Sequence, residues 1–138
     1  METSSENGNL NSVFVVDEDL SARRGIARLL YTAGFDVRDL SSANELREAL
    51  GHETPGCAVL DTGLLEEVVD ELQTKIGTGG CDLPIIVMTA HDDPQSRRQA
   101  LLLNAIGYFR KPIDGPALLD AIDWAMQKGV RENNHEKS

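Results

Sequence analysis

The chain alternates short apolar runs with segments of helical periodicity. Apolar runs at VFVVD (13–17), FDVRDL (35–40), CAVLD (57–61), LPIIVMT (83–89) and IGYFRK (106–111) predict five strands. Several are continuously apolar, the pattern of strands covered on both faces. Between them lie five helices. Ala22, Ile26, Leu29 and Ala33 share one face of the first, and Gly34 follows as a stop. Ser41 or Ser42 caps a second, which turns Leu46 and Leu50 inward. A third runs from about Leu64 to Ile76, a fourth from about Pro94 to Leu103, and a fifth from about Pro116 to Gln127. Strand and helix alternate five times with short links. That order predicts an α/β fold, a doubly wound parallel sheet with helices on both faces. Residues 1–11 and 129–138 are polar and aperiodic and are expected to be tails around one domain at 12–128.

Composition narrows the functions. A length of 138 residues, 41% hydrophobic and 26% charged, suits one globular domain. A net charge of −10 argues against direct nucleic-acid binding, which needs a basic face. No apolar run approaches a membrane span, and METSSENGNLNS has no signal-peptide pattern, so a cytoplasmic location is expected. Cys57 and Cys81 lack metal-ligand spacing, and Cys57 reads as a reduced core thiol.

Ligands of parallel α/β sheets sit at the carboxyl ends of strands. Here the first strand ends in Asp17-Glu18, the third in Asp61, the fourth in Thr89 and the fifth in Lys111-Pro112. Each alone reads as a turn or cap residue. Together they gather hard oxygen donors suited to Mg²⁺ and a lysine able to neutralise another anion. The second strand offers only Asp39. The glycines of IGTGGCDL run from a helix into a strand, the reverse of a phosphate loop, and read as a helix stop. His91 stands two residues after Thr89, either a solvated loop side chain or a group within reach of the site. His52 and His135 read as surface residues.

In VFVVDEDLSAR, CAVLD, LPIIVMTAHDD and AIGYFRKPI, taken in order, the chain resembles the receiver domain of two-component response regulators over about residues 12–128. The resemblance implies the (βα)5 flavodoxin-like receiver fold and a phosphoacceptor signalling domain rather than an enzyme. It makes Asp61 the phosphoryl acceptor, Thr89 the switch hydroxyl, Tyr108 the switch aromatic and Lys111 the site lysine. Lys111-Pro112 would be a cis peptide. It implies Mg²⁺ at Glu18, Asp61 and the Gly63 carbonyl, with Asp17 acting directly or through water. It implies phosphorelay from a sensor histidine kinase or phosphotransfer protein, read out on the face of the fourth helix, fifth strand and fifth helix.

The chain departs from that pattern in three places. Glu18 replaces the usual second Asp; Leu65, Glu66 and Val69 replace the Pro-Gly and later Gly after the acceptor; Ile113 replaces an aromatic. These departures keep open a phosphorylation-independent pseudo-receiver that acts as a protein-binding module. The linker-like tail RENNHEKS keeps open an N-terminal receiver fragment of a longer transcriptional regulator. A small flavodoxin-like enzyme is disfavoured, because the acids of DEDLS would repel phosphate. In ALLLN (100–104) not every leucine can face one core, so Leu101, Leu102, Leu103 and the off-stripe Trp124 are expected to form a partner surface, a homodimer contact among its uses.

Overall fold

The computed structural model describes residues 8–76 and 83–137, with side chains over 12–70 and 83–127. Its elements are β1 (Gly8–Val16), α1 (Leu20–Thr32), β2 (Asp36–Leu40), α2 (Ala43–Leu50), β3 (Thr54–Asp61), a 3-10 turn (Thr62–Leu64), α3 (Leu65–Ile76), β4 (Ile85–Thr89), α4 (Pro94–Leu102), β5 (Gly107–Arg110) and α5 (Gly115–Lys137). The five strands form one parallel sheet in the order β2-β1-β3-β4-β5. This is the doubly wound (βα)5 fold that the alternation of patterns predicts.

Side-chain alternation along each central strand builds two cores. Phe14, Val16, Ala58, Leu60, Ile85 and Val87 face Leu46 of α2, Leu65 and Val68 of α3, and Ala100 of α4. Val13, Val15, Cys57, Val59, Ile86 and Met88 face Leu30 of α1 and Leu118, Ile122 and Ala125 of α5. Both sets must be apolar, hence the continuous runs. Right-handed crossovers explain which helix lies where. The chain leaves β1 toward β2 in one direction and thereafter moves in the other, so α1 lies on the opposite face from α2, α3 and α4.

Local chemistry sets the helix starts. Asp19 caps α1 by accepting from Ser21 N–H. Ser42, rather than Ser41, caps α2. Asp93 caps α4 with Pro94 in its first turn, where a missing N–H costs nothing. Gly34 takes φ of 101° after α1, where glycine avoids the Cβ clash.

Several boundaries differ from expectation. β1 already begins at Gly8, with Gly8 beside Thr54 and Asn9 beside Pro55, so the expected tail at 1–11 gives way to strand from residue 8. Backbone pairing needs no apolar pattern, which is why the sequence did not mark it. β3 likewise starts at Thr54 rather than 57. α5 runs to Lys137 instead of stopping near Gln127. Residues 127–137 hold no proline and include Gln, Lys, Arg and Glu, good helix formers even without an apolar stripe. The reading of IGTGGCDL as a stop falls largely on residues 77–82, outside the described ones, as does Cys81; α3 is described to Ile76.

Cys57 is a buried free thiol, and burial pushes its pKa up to about 12 against the smaller lowering effect of the Ala58 backbone. Alkylation needs the thiolate. In a Cys81→Ser background, the native protein is expected to react with iodoacetamide at neutral pH at least about a hundredfold more slowly than the unfolded chain. Equal rates would contradict this.

Candidate functional site

The strand order places the site. Val16 of β1 pairs with Leu60 of β3, so Asp17 and Asp61 leave the sheet side by side. The windings of β1 and β3 diverge to opposite faces there, which opens a crevice at the carboxyl ends. Two adjacent carboxylates repel unless a positive group offsets them. Lys111, at the end of β5, supplies it: Nζ lies 2.7 Å from Asp61 Oδ1 and 3.0 Å from Asp17 Oδ2. Its backbone N–H donates to the Thr89 carbonyl at 2.8 Å, and its bond to Pro112 is cis. Burial alone would lower the Lys111 pKa. The hydrogen bonds it donates to Asp61 and Asp17, together with their charges, outweigh burial and raise it above its ordinary value.

The three successive acids have three different placements. Asp17 is buried, and its Oδ1 accepts from Asp19 N–H at 2.9 Å. Glu18 is exposed and reaches over Gly63. Asp19 is the α1 cap and so stays out of the site. Asp61 Oδ2 accepts from Gly63 N–H at 2.8 Å. A Cβ placed on Gly63 would lie 2.9 Å from Asp61 Oδ2 and 3.9 Å from Glu18 Oε2. A side chain at 63 would therefore have to displace the Asp61 carboxylate oxygen, while Glu18 stands at ordinary contact distance. The side-chain groups here are hard oxygens, the kind of donor a divalent cation such as Mg²⁺ takes. Among the described residues no three His, Cys, Asp or Glu side chains are gathered in metal-holding geometry. In this arrangement the Lys111 ammonium itself bridges Asp17 and Asp61.

Arg23, the last residue of the segment VFVVDEDLSAR, has a structural task. Its guanidinium donates to the Asp17 carbonyl at 2.6 Å, and its Nε lies 3.5 Å from Asp39 Oδ2. Asp39 thus serves the back of the site instead of the crevice. The six-residue spacing from Asp17 to Arg23, nearly two helical turns including the cap, is the signal that could have shown this.

Thr89 is completely buried. Its hydroxyl accepts from Thr62 Oγ1 at 3.1 Å and from His91 N–H at 3.0 Å, and donates to the His91 carbonyl. His91 thus acts here through its backbone, and its side chain is exposed. Thr62 went unnoticed in the sequence, where a threonine after Asp61 reads as a turn residue.

Tyr108 lies half-buried on β5, near the Thr89 side chain, and its hydroxyl donates to Asp92 Oδ1 at 3.2 Å. Arg97 grips the same carboxylate with two bonds of 2.7 Å and lies 5.3 Å from the tyrosine ring centroid. The Arg97 hydrogen bond, foremost, holds the Asp92 carboxyl below its usual range. Burial, then the bond to Asp92, raises the Tyr108 pKa. Asp92→Asn keeps an acceptor but removes the charge. In a Tyr31→Phe background, tyrosinate absorbance is expected to show the Tyr108 midpoint falling toward 10.0 while staying above it; an unmoved midpoint would contradict this.

The expected apolar surface is only partly present. Leu101, Leu102 and Trp124 are 76%, 52% and 51% exposed, but Leu103 is buried in the α2–α4 core. Leu103 caps the end of α4, three residues after the buried Ala100, and so shares its core-facing side; Asn104 follows at φ 56°. Ile113 packs at the edge of the α1–α5 core. No helix among the described residues is long and apolar enough to cross a membrane.

Comparison with known proteins agrees with this arrangement. Residues 13–123 match the response regulator receiver domain. The transcriptional regulatory protein TdiR of Thauera aromatica is 34% identical over 132 residues, covering 94% of this chain and 58% of TdiR. The chain spans less than three fifths of the length of the curated relatives it matches. A CheY-like receiver domain protein from Methanospirillum hungatei superposes with a TM-score of 0.78 at 21% identity, over 90% of this chain and 99% of that one. Full-length FixJ from B. japonicum gives 0.73 at 26% identity, over 85% and 58%. With a match spanning β1 to α5, the chain belongs to the response regulator receiver domain family, the signalling modules of two-component phosphorelays.

Proposed function

We propose that this receiver takes a phosphoryl group onto Asp61 from a histidine kinase or phosphotransfer protein bearing phosphohistidine. The observation that carries this reading is Lys111 Nζ at 2.7 Å from Asp61 Oδ1, with Gly63 N–H holding the other carboxylate oxygen. Asp61 Oδ1, released as Lys111 turns to the phosphoryl group, attacks phosphorus in line with the departing imidazole nitrogen. Phosphoryl transfer has a loose transition state, so the protein contributes mainly positioning and charge stabilisation. Lys111 trades one carboxylate contact for a phosphoryl oxygen and keeps Asp17 as its anchor. Asp17, held by Asp19 N–H and through its carbonyl by Arg23, keeps that lysine aimed. Bound Mg²⁺, held by Glu18, Asp61 and the Gly63 carbonyl beside Asp17, would neutralise phosphoryl oxygens.

Readout follows from the switch pair. Thr89 gives up the His91 carbonyl to donate to the new phosphoryl group, and Tyr108 turns into the space vacated. The change reaches the surface of α4, β5 and α5, where Leu101, Leu102 and Trp124 are exposed and where a partner or a second copy docks. The name and length of TdiR favour an output in transcription, with this domain as the receiver part of a longer regulator.

The reading is tested by labelling with acetyl phosphate and Mg²⁺, then borohydride reduction and peptide mapping. Conversion at Asp61, abolished by chelating Mg²⁺, is expected. Conversion at another carboxylate would overturn the assignment.

A further inference from the structure

We propose that Thr62 is a positioning residue that holds the switch hydroxyl of Thr89 in its resting arrangement and thereby sets the threshold for phosphoryl binding; this rests on the reading of Asp61 as acceptor. A threonine hydroxyl has one proton and two acceptor sites. Thr89 has all three committed: it accepts from Thr62 Oγ1 and His91 N–H, and its proton lies on the His91 carbonyl. It therefore has nothing to offer an anion on Asp61 until this set is broken. Two of the three bonds come from the backbone of His91, which any sequence would supply. The third comes from a side chain, on the residue directly after the acceptor. Thr62 opens the 3-10 turn that Asp61 caps, so its position is tied to that carboxylate.

In this proposal the bond from Thr62 belongs to the resting rotamer, the one in which it is made, and rotation of Thr89 breaks it together with the two bonds to the His91 backbone. A contact made in one of two states biases the equilibrium by its own strength. Removing it should then ease the switch and leave the site's charges untouched. Tyr108 would follow, since Thr89 vacates its space more often.

The test uses beryllofluoride with Mg²⁺ as the phosphoryl probe, followed by fluorine NMR, on the wild-type chain and on Thr62→Val and Thr62→Ser. Valine keeps the shape and removes the donor; serine keeps the donor. Thr62→Val is expected to bind about two- to tenfold more tightly, the range for one neutral hydrogen bond. Thr62→Ser should bind as the wild type does, and the Tyr108 ring resonances of probe-free Thr62→Val should shift toward those of the bound wild type. Unchanged or weaker binding by Thr62→Val, with wild type and Thr62→Ser binding normally, would overturn the inference while leaving Asp61 as acceptor. Absence of probe at Asp61 in the wild type would overturn the functional reading itself, and this inference with it.

Discussion

Lys111→Ala is expected to slow phosphoryl uptake at Asp61 by about a hundredfold, the usual effect of removing one preorganised donor from a developing anion. The ammonium has two tasks: it offsets the adjacent Asp17 and Asp61 carboxylates at rest, and it meets a phosphoryl oxygen during transfer. Alanine leaves both carboxylates without it, and Asp17 is buried. Lys111→Arg should recover only part of the rate, because a planar fork cannot reproduce a point charge between two oxygens. A pH arm separates the resting task from the catalytic one. The folded Lys111 pKa lies above the ordinary 10.5. Its contribution to stability is therefore complete below pH 10.5 and is lost as the pH rises through the raised value. Denaturant titrations across that range should show an alkaline loss in the wild type that Lys111→Ala lacks. Normal uptake by Lys111→Ala would remove the lysine from the mechanism.

Asp61→Asn is expected to abolish uptake and change the fold little. Asparagine matches the shape and can still accept the Gly63 N–H, so the 3-10 turn keeps its cap. It loses the nucleophilic charge, and no neighbouring acid takes over. Asp17 is buried and less accessible than Asp61, and Glu18 sits across Gly63 from the acceptor. Lys111 retains Asp17, so no buried charge is left unpaired. Residual uptake on Glu18 would show that the exposed carboxylate can replace the buried geometry.

Much of this site was legible in the sequence because each strand-end residue sits where an apolar run stops. Asp17, Asp61, Thr89 and Lys111 needed only a strand order and right-handed crossovers to be brought to one edge. The acid repeat at 17–19 was harder. Its spacing places three charges together, but only the backbone turn shows that Asp19 faces Ser21 N–H as a cap. Thr62 was illegible for a different reason. Its partner lies 27 residues away, and hydroxyl–hydroxyl contacts have no periodic signature. The Asp92–Arg97 pair is five residues apart, which is no helical pairing; it forms because Asp92 lies before the Asp93 cap, outside α4. Leu103 misled because the leucines were taken as a group, whereas it lies three residues after Ala100 and helical spacing puts both on the core face. The added lengths of β1 and α5 depend on backbone bonds and propensity, and hydrophobic patterning is silent on both.

Glu18 is the departure with the most consequence for the chemistry. Its carboxylate lies over Gly63, 3.9 Å from where a Cβ would stand, an ordinary contact. The tight approach at that position is to Asp61 Oδ2, 2.9 Å from such a Cβ.

The most direct measurement is intact-mass analysis after incubation with acetyl phosphate and Mg²⁺, with Asp61→Asn in parallel. One phosphoryl group on the wild type, absent when Mg²⁺ is chelated and absent from Asp61→Asn, is the predicted result. A wild-type chain that stays unmodified under these conditions and with a phosphohistidine donor, or an Asp61→Asn chain labelled as fully as the wild type, would contradict the account.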